Sequence, residues 1–230
     1  VLPEAFLTGY ATSAFAAPLP TPADLAGPLL DPLRESARAG GVVALVGTPV
    51  ARGHLATLSL AMVATDGAVT VPYDKQHLDG DEKDRFVVGH HGASVRIGDA
   101  VGAVELGLSI CYDGCFGEHA AAAARDGAVG YLASAAYFAG SEHRRDLYYA
   151  ARALENGLYV AFAGLTGRCG GRDFSGGSAL YDPEGRVLAR LGTEEGVVVS
   201  DLDLDLVAST RRTHTMLADH RPSLGPRRRV

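Results

Sequence analysis

The chain has 230 residues, 47% of them hydrophobic and 21% charged, with a formal net charge of −6, which describes one globular core rather than a disordered chain. That charge excludes a basic field for nucleic acid or an anionic membrane surface, and no run nears the roughly 20 apolar residues that span a bilayer. Three cysteines, Cys111, Cys115 and Cys169, form neither a disulfide framework nor a CxxC zinc pattern; with no secretory signal legible, a reducing cytoplasm is expected.

In chain order, residues 24–39 read as a helix, with Leu25, Leu29, Leu33 and Ala37 at four-residue intervals. A buried strand is expected over 42–47, then a pair over 57–64 and 68–73 joined by the turn 65–67. A polar stretch, 76–85, precedes strands over 93–97 and 101–111. An alanine-rich helix over 118–125 stops at Asp126-Gly127. Residues 129–134 read as a buried strand, and a long helix runs from Ser141 as its N-cap through Asn156 to Gly157. Strands follow over 159–163, 177–181, 186–190 and 197–202, with 182–185 a hairpin turn. The glycine-rich stretch 167–177 has no Walker lysine and reads as a loop, and 222–230 as a surface tail. There is no repeat or linker, so residues 1–230 are expected to form one α/β layered domain.

Three segments carry candidate chemistry. Cys111 ends an apolar strand ahead of a turn and helix, where a nucleophile is exposed beside backbone N–H groups; a small buried hydrophobe is the alternative. Of 21 basic residues only Lys75 and Lys83 are lysine, so a lysine is expected where arginine does not serve. Lys75, also at a strand end, suits a compact ammonium beside a thiol and an oxyanion, against the alternative of a solvated surface charge. Glu4 suits a general base for the thiol and an acid for a leaving amine, though a terminal glutamate is ordinarily solvated.

Taken in order, Glu4, Lys75 and Cys111 resemble the Glu-Lys-Cys triad of the nitrilase superfamily of carbon–nitrogen hydrolases. The resemblance runs through PEAFLTGY at 3–10, YDKQHL at 73–78 and LSICYDGCFGE at 108–118. It continues through ASAAYFAG at 133–140, AARALENGLYV at 150–160, FSGGSALYDPEGRVLA at 174–189 and HRPSL at 220–224. It implies a four-layer α-β-β-α sandwich, paired into homodimers or higher homo-oligomers through helices near the nucleophile and the C-terminal region. It implies a second glutamate, Glu82, orienting Lys75 and the substrate amide, and the backbone N–H of Tyr112 as an oxyanion donor. Tyr10, Tyr137 and Phe138 are expected to line the pocket. The implied reaction is amide hydrolysis through a Cys111 thioester, without metal or cofactor and with a small-molecule amide as the only partner besides a second copy. Tyr112 after the nucleophile favours amidases over nitrilases.

The departures from the family pattern bear on substrate identity. Cysteine stands for the usual arginine at Cys115, glycine for proline at Gly117, tyrosine for tryptophan at Tyr137, and glycine for asparagine at Gly164. The family also places a strand, a helix and most of a second strand before its glutamate motif. None precedes Val1, so an N-terminal strand–helix unit is expected to be missing, leaving unpaired backbone and an exposed apolar face. That makes a non-catalytic, dimeric small-molecule binding module the alternative function, with redox sensing by Cys111 and Cys115 a third. Arg144, Arg145, Arg168 and Arg172 are candidates to meet a substrate carboxylate or to be surface charges. His90-His91 lack a matching ligand set and read as a surface loop, and Arg227 to Arg229 as solvated tail.

Overall fold

The first helical region is broken rather than continuous, because Pro28 and Pro32 have no N–H to give a helix and are accepted only at its first turn. In the computed structural model, which describes residues 1–98 and 102–229, α1 (Thr12–Ala16) is followed by α2 (Pro22–Ala26), one 3-10 turn and α3 (Asp31–Gly40). Each break rotates the helical face, so Leu25, Leu30 and Ala37 are buried while Leu29, part of the expected stripe, is 53% exposed.

The first sheet has the order β1-β2-β3. Strand β1 (Ala44–Arg52) extends beyond the expected 42–47 and pairs antiparallel with β2 (Leu55–Val63), from Ala44 opposite Val63 to Arg52 opposite Leu55. Strand β3 (Val69–Asp74) returns along β2. On β2 the side chains alternate, Leu60 and Met62 toward one cluster, Ala61 and Val63 toward another.

The second sheet begins with β4 (Ser94–Ile97) and β5 (Val104–Ile110); the expected start of the latter, Val101, lies outside the described residues. Helix α4 (Gly117–Arg125) leads to β6 (Gly130–Ala135), and α5 (Glu142–Asn156) to β7 (Tyr159–Gly164). Strands β5, β6 and β7 are parallel, so each needs its helical crossover. The next two strands, β8 (Thr166–Cys169) and β9 (Arg172–Ser175), make a separate two-stranded ribbon. Antiparallel β10 (Ala179–Tyr181) and β11 (Val187–Arg190) complete the order β11-β10-β7-β6-β5-β4, and α6 (Leu204–Thr213) closes the fold.

Buried clusters follow this layering. Leu25, Leu30 and Ala37 of the helical segments pack on Val50, Ala61 and Val63. Leu45, Leu60 and Tyr73 of the first sheet meet Leu106, Leu108 and Ile110 of the second. Beyond it, Ala120, Tyr149 and Ala153 of α4 and α5 cover Tyr131, Ala133, Val160 and Phe162. The ends of β3 and β5 therefore arrive together between the two sheets.

Three further expectations need correction. Residues 197–202 form no strand: Val197 and Val199 are 85% and 81% exposed, and a ladder needs a partner backbone, which none of the described strands offers there. The stretch 167–177 is the β8–β9 ribbon, turning at Gly170 and Gly171, both at positive φ. Ser141 does not cap α5 with its side chain, because its hydroxyl donates to the Phe138 carbonyl instead. The other end of α5 is as expected, with Gly157 left-handed at φ 55°. The tail from 222 onward is exposed as far as Arg229; Val230 lies outside the described residues.

Candidate active site

Lys75 stands one residue past β3, its N–H donating to Leu58 O at 2.7 Å, and its side chain is fully buried. Nζ donates to Glu4 Oε1 at 2.7 Å and to both oxygens of Glu82 at 2.7 and 2.8 Å. Glu82 is held in turn by the Tyr10 hydroxyl at 2.6 Å and the Asp79 N–H at 2.8 Å. It sits in a 3-10 turn, Gly80–Asp84, that points it inward, with 4% exposure.

Glu4 lies in a tight turn beside β1, to which Leu2 N–H donates at Leu45 O, 2.8 Å. A Cβ on Gly47 of β1 would stand 2.6 Å from Glu4 Cα and 2.4 Å from Pro3 O. Only glycine lets the Glu4 segment lie this close. Glu4 is 1% exposed, and its second oxygen, Oε2, is the one buried side-chain polar atom among the described residues without a hydrogen bond.

Cys111 is the first residue of a 3-10 turn, Cys111–Cys115, at the end of β5 and is partly buried. Its φ of +46° is left-handed, a strained setting for a side chain that persists where its surroundings over-determine it. Its carbonyl accepts from Tyr149 at 3.0 Å and Tyr137 at 3.5 Å. A Cβ on Gly114 would come within 2.7 Å of the Tyr149 ring, so this turn is also closed by a glycine. Asp113 pins the turn from inside: it is fully buried and accepts from Ile110 N–H at 3.0 Å, Tyr73 OH at 2.7 Å and His77 N–H at 2.8 Å. Tyr112, next after Cys111, supplies one of the N–H groups that the start of a helical turn leaves without an intraturn acceptor.

Electrostatics set the resting protons. Burial raises the Glu4 carboxyl to about 7; Glu82 adds to the rise, while Lys75 and the Cys111 thiol oppose it. Burial would lower Lys75, but its carboxylate partners Glu4 and Glu82 help outweigh it and hold the ammonium protonated. Burial and the Glu4 charge push the Cys111 thiol well above its ordinary value, against Lys75 and the Ala136 N–H. The proton thus rests on sulfur, and the Glu4 carboxyl beside it keeps one oxygen without a hydrogen bond.

A cavity of about 310 Å³ adjoins this cluster, lined by Tyr10, Phe15, Glu82, Arg85, Phe138 and Arg172 among others. The Tyr10 and Phe138 rings meet edge-on at 5.9 Å, and the Arg172 guanidinium lies 3.3 Å over Phe138. Strand β9 braces this wall, Ser175 N–H donating to Tyr137 O at 2.8 Å and Ala139 N–H to Asp173 O at 2.9 Å. Tyr137 itself does not line that cavity. It lies beneath the Cys111 turn, 3.4 Å from Cys115 Sγ.

Of the other arginines, Arg145 is buried against Ser175 and Gly176, Arg168 pairs with Asp173 on the surface and Arg144 is exposed. His90 and His91 are exposed in a loop. Tyr149, Gly47 and Asp113 escaped the sequence reading. A lone glycine inside an apolar strand was the available signal for Gly47; nothing local marks Tyr149.

Comparison with known proteins points one way. A family model described as carbon–nitrogen hydrolase matches residues 1–212. An (R)-stereoselective amidase of Pseudomonas sp. is 33% identical over 228 residues, covering 96% of this chain and 78% of the relative. A 2-oxoglutaramate amidase of Bacillus subtilis is 32% identical, covering 97% and 85%. Among solved structures, the NitN amidase of Nesterenkonia sp. AN1 superposes with a TM-score of 0.79 at 30% identity, over 95% of this chain and 81% of that one. A glutamate-to-glutamine mutant of the Nesterenkonia amidase carries the acetamide moiety of fluoroacetamide on its active-site cysteine; it superposes at 0.80, 29% identical, over 96% and 79%.

Proposed function

The chain belongs to the carbon–nitrogen hydrolase family, and from that premise we propose that it converts a small carboxamide to the acid and ammonia with Cys111 as nucleophile. The observation that carries this reading is the open oxygen of Glu4, buried beside Cys111 while its other oxygen is tied to Lys75.

Glu4 accepts the thiol proton as sulfur bonds to the amide carbon. Lys75 and the Tyr112 N–H hold the oxyanion, where donors in a water-poor site act most strongly. The C–N bond then breaks as Glu4 returns its proton to nitrogen, and ammonia leaves. Water next gives a proton to Glu4 and attacks the thioester; the C–S bond breaks, sulfur regains the proton, and the acid departs. Glu82 orients Lys75, and Tyr10 and Phe138 wall the pocket. The family membership and the amidase relatives support this reading.

Ammonia release from acetamide, propionamide and butyramide, with intact mass of the Glu4→Gln variant, tests it. Turnover by wild type, none by Cys111→Ala, and no acyl adduct on Cys111 of Glu4→Gln, which lacks the base for acylation, are expected. Full activity in Cys111→Ala overturns it, and binding of amides without turnover makes the chain a binding module. Pairing of two copies belongs to the same proposal: Leu147 and Leu154, both on α5, stand 57% and 45% exposed. A dimer is expected by light scattering, and Leu154→Glu should shift it toward monomer. The three free cysteines suit a cytoplasmic setting.

A further inference from the structure

The lysine segment and the cysteine turn come from different sheets, yet one side chain holds both. Tyr73 precedes Lys75 by two residues and His77 follows it by two; Asp113 follows Cys111 by two. Asp113 Oδ2 accepts from Tyr73 OH and from Ile110 N–H, while Oδ1 accepts from His77 N–H at 2.8 Å and meets His77 Nδ1 at 2.9 Å. Each carboxylate oxygen therefore takes two contacts, three of the four reaching across to the lysine segment.

The network does not end at Tyr73. Its oxygen also lies 2.8 Å from His119 Nε2 on α4, and His119 Nδ1 lies 2.8 Å from the Tyr131 hydroxyl on β6. Tyr73 and Tyr131 are buried to within 2%. Proton counting gives the chain a direction. The hydrogen bonds to Asp113 outweigh its burial and keep it ionised, and an ionised carboxylate only accepts. Tyr73 must then spend its proton on Asp113 and can only accept from His119. Burial keeps His119 below its ordinary value; a neutral ring with hydrogen on Nε2 leaves Nδ1 to accept from Tyr131. The order is Tyr131 to His119 to Tyr73 to Asp113, each donor polarising the next.

We infer that Asp113 is a positioning residue that staples the Lys75 segment to the Cys111 turn, and that His119 positions it through Tyr73 by keeping this chain of donors in one direction. This rests on the roles proposed for Cys111 and Lys75. Losing the chain lets the left-handed Cys111 turn and the ammonium drift relative to each other, which costs turnover and thiol reactivity more than substrate binding.

Position 119 allows a clean test. A glutamine there can accept from Tyr131 and donate to Tyr73, whereas leucine can do neither. Three measurements apply to Tyr73→Phe, His119→Leu and His119→Gln: kcat and KM on butyramide, the rate at which iodoacetamide alkylates Cys111, and Tm. Expected are losses of about tenfold in kcat and alkylation for Tyr73→Phe and His119→Leu, with KM within about twofold, and recovery to within about threefold of wild type in His119→Gln. Equal losses in His119→Gln and His119→Leu, or loss of Tm with kcat per folded molecule unchanged, overturn the inference. If wild type turns over no amide while alkylation follows the expected order, the proposed function fails and the staple stands.

Discussion

The two lysines of this chain stand in opposite worlds a few residues apart. Lys75 is fully buried between two carboxylates, while Lys83, next to inward-turned Glu82 on the same 3-10 turn, faces solvent. Each surface charge keeps its hydration and asks nothing of its neighbours; the exposed pair Arg168–Asp173, at 68% and 62%, is of this kind. Taking Lys75, Glu4 and Glu82 out of water together costs several kcal/mol per ion before their attraction returns it. Such a cluster is weak evidence of stabilisation, and its placement beside Cys111 supports a catalytic use.

Several substitutions test that contrast, ordered by expected effect. Cys111→Ala should lower kcat by about 10⁴-fold or more with the fold intact by circular dichroism. Lys75→Met, which leaves two buried carboxylates without a cation, should lose about 3–5 kcal/mol by urea titration and nearly all activity; Lys75→Arg should not rescue it, since a planar fork does not fit a site built for a compact ammonium. Glu4→Gln should lower kcat by about 10²–10⁴-fold, as for a general base, with little change in Tm. By contrast Lys83→Ala and Arg168→Ala should each change stability by about 0.5 kcal/mol or less and leave kcat as it was. A large effect of Lys83→Ala would erase the distinction between the two sites.

The acid–base behaviour of Glu4 sharpens it further. Its carboxyl is raised in the fold from 4.5 to about 7, mainly by burial. Between those pH values the folded protein keeps a proton that the unfolded chain has released, so stability falls as pH rises through that window and levels off above it. Under the proposed mechanism activity runs the other way, because Glu4 as the base must be ionised. A kcat/KM profile should rise about tenfold per pH unit up to about 7 and then flatten, and Glu4→Gln should lose that limb.

Much of the second sheet could be read from local pattern: apolar runs ending at Cys111 and Ser134, helices stopped by Asp126-Gly127 and Gly157, and the turn at 182–185 all reappear in the structure. Where local reading failed, a neighbour was decisive. The valine run at 197–199 makes no strand without a partner, and glycines at 170 and 171 make a tight ribbon turn because strands flank them. Tyr137 shows the same limit within the site. Motif order puts it among the pocket residues, but its hydroxyl lies under the turn, 3.5 Å from Cys111 O and 3.4 Å from Cys115 Sγ.

The sequence alone placed a thiol, an ammonium and two carboxylates in motifs ordered along nearly the whole chain; the thiol and the ammonium stand at strand ends, while Glu4 and Glu82 sit in turns. Only the tertiary structure decided their protonation and aim, because desolvation, an unpartnered carboxylate oxygen and a left-handed backbone at Cys111 are properties of surroundings. Glu4, Lys75 and Cys111 are separated by 71 and 36 positions, and their mutual distances come from two sheets packing face to face. Asp113, two residues from Cys111, carries no local mark of its task; it gains one only where Tyr73 and His77 arrive from the other sheet.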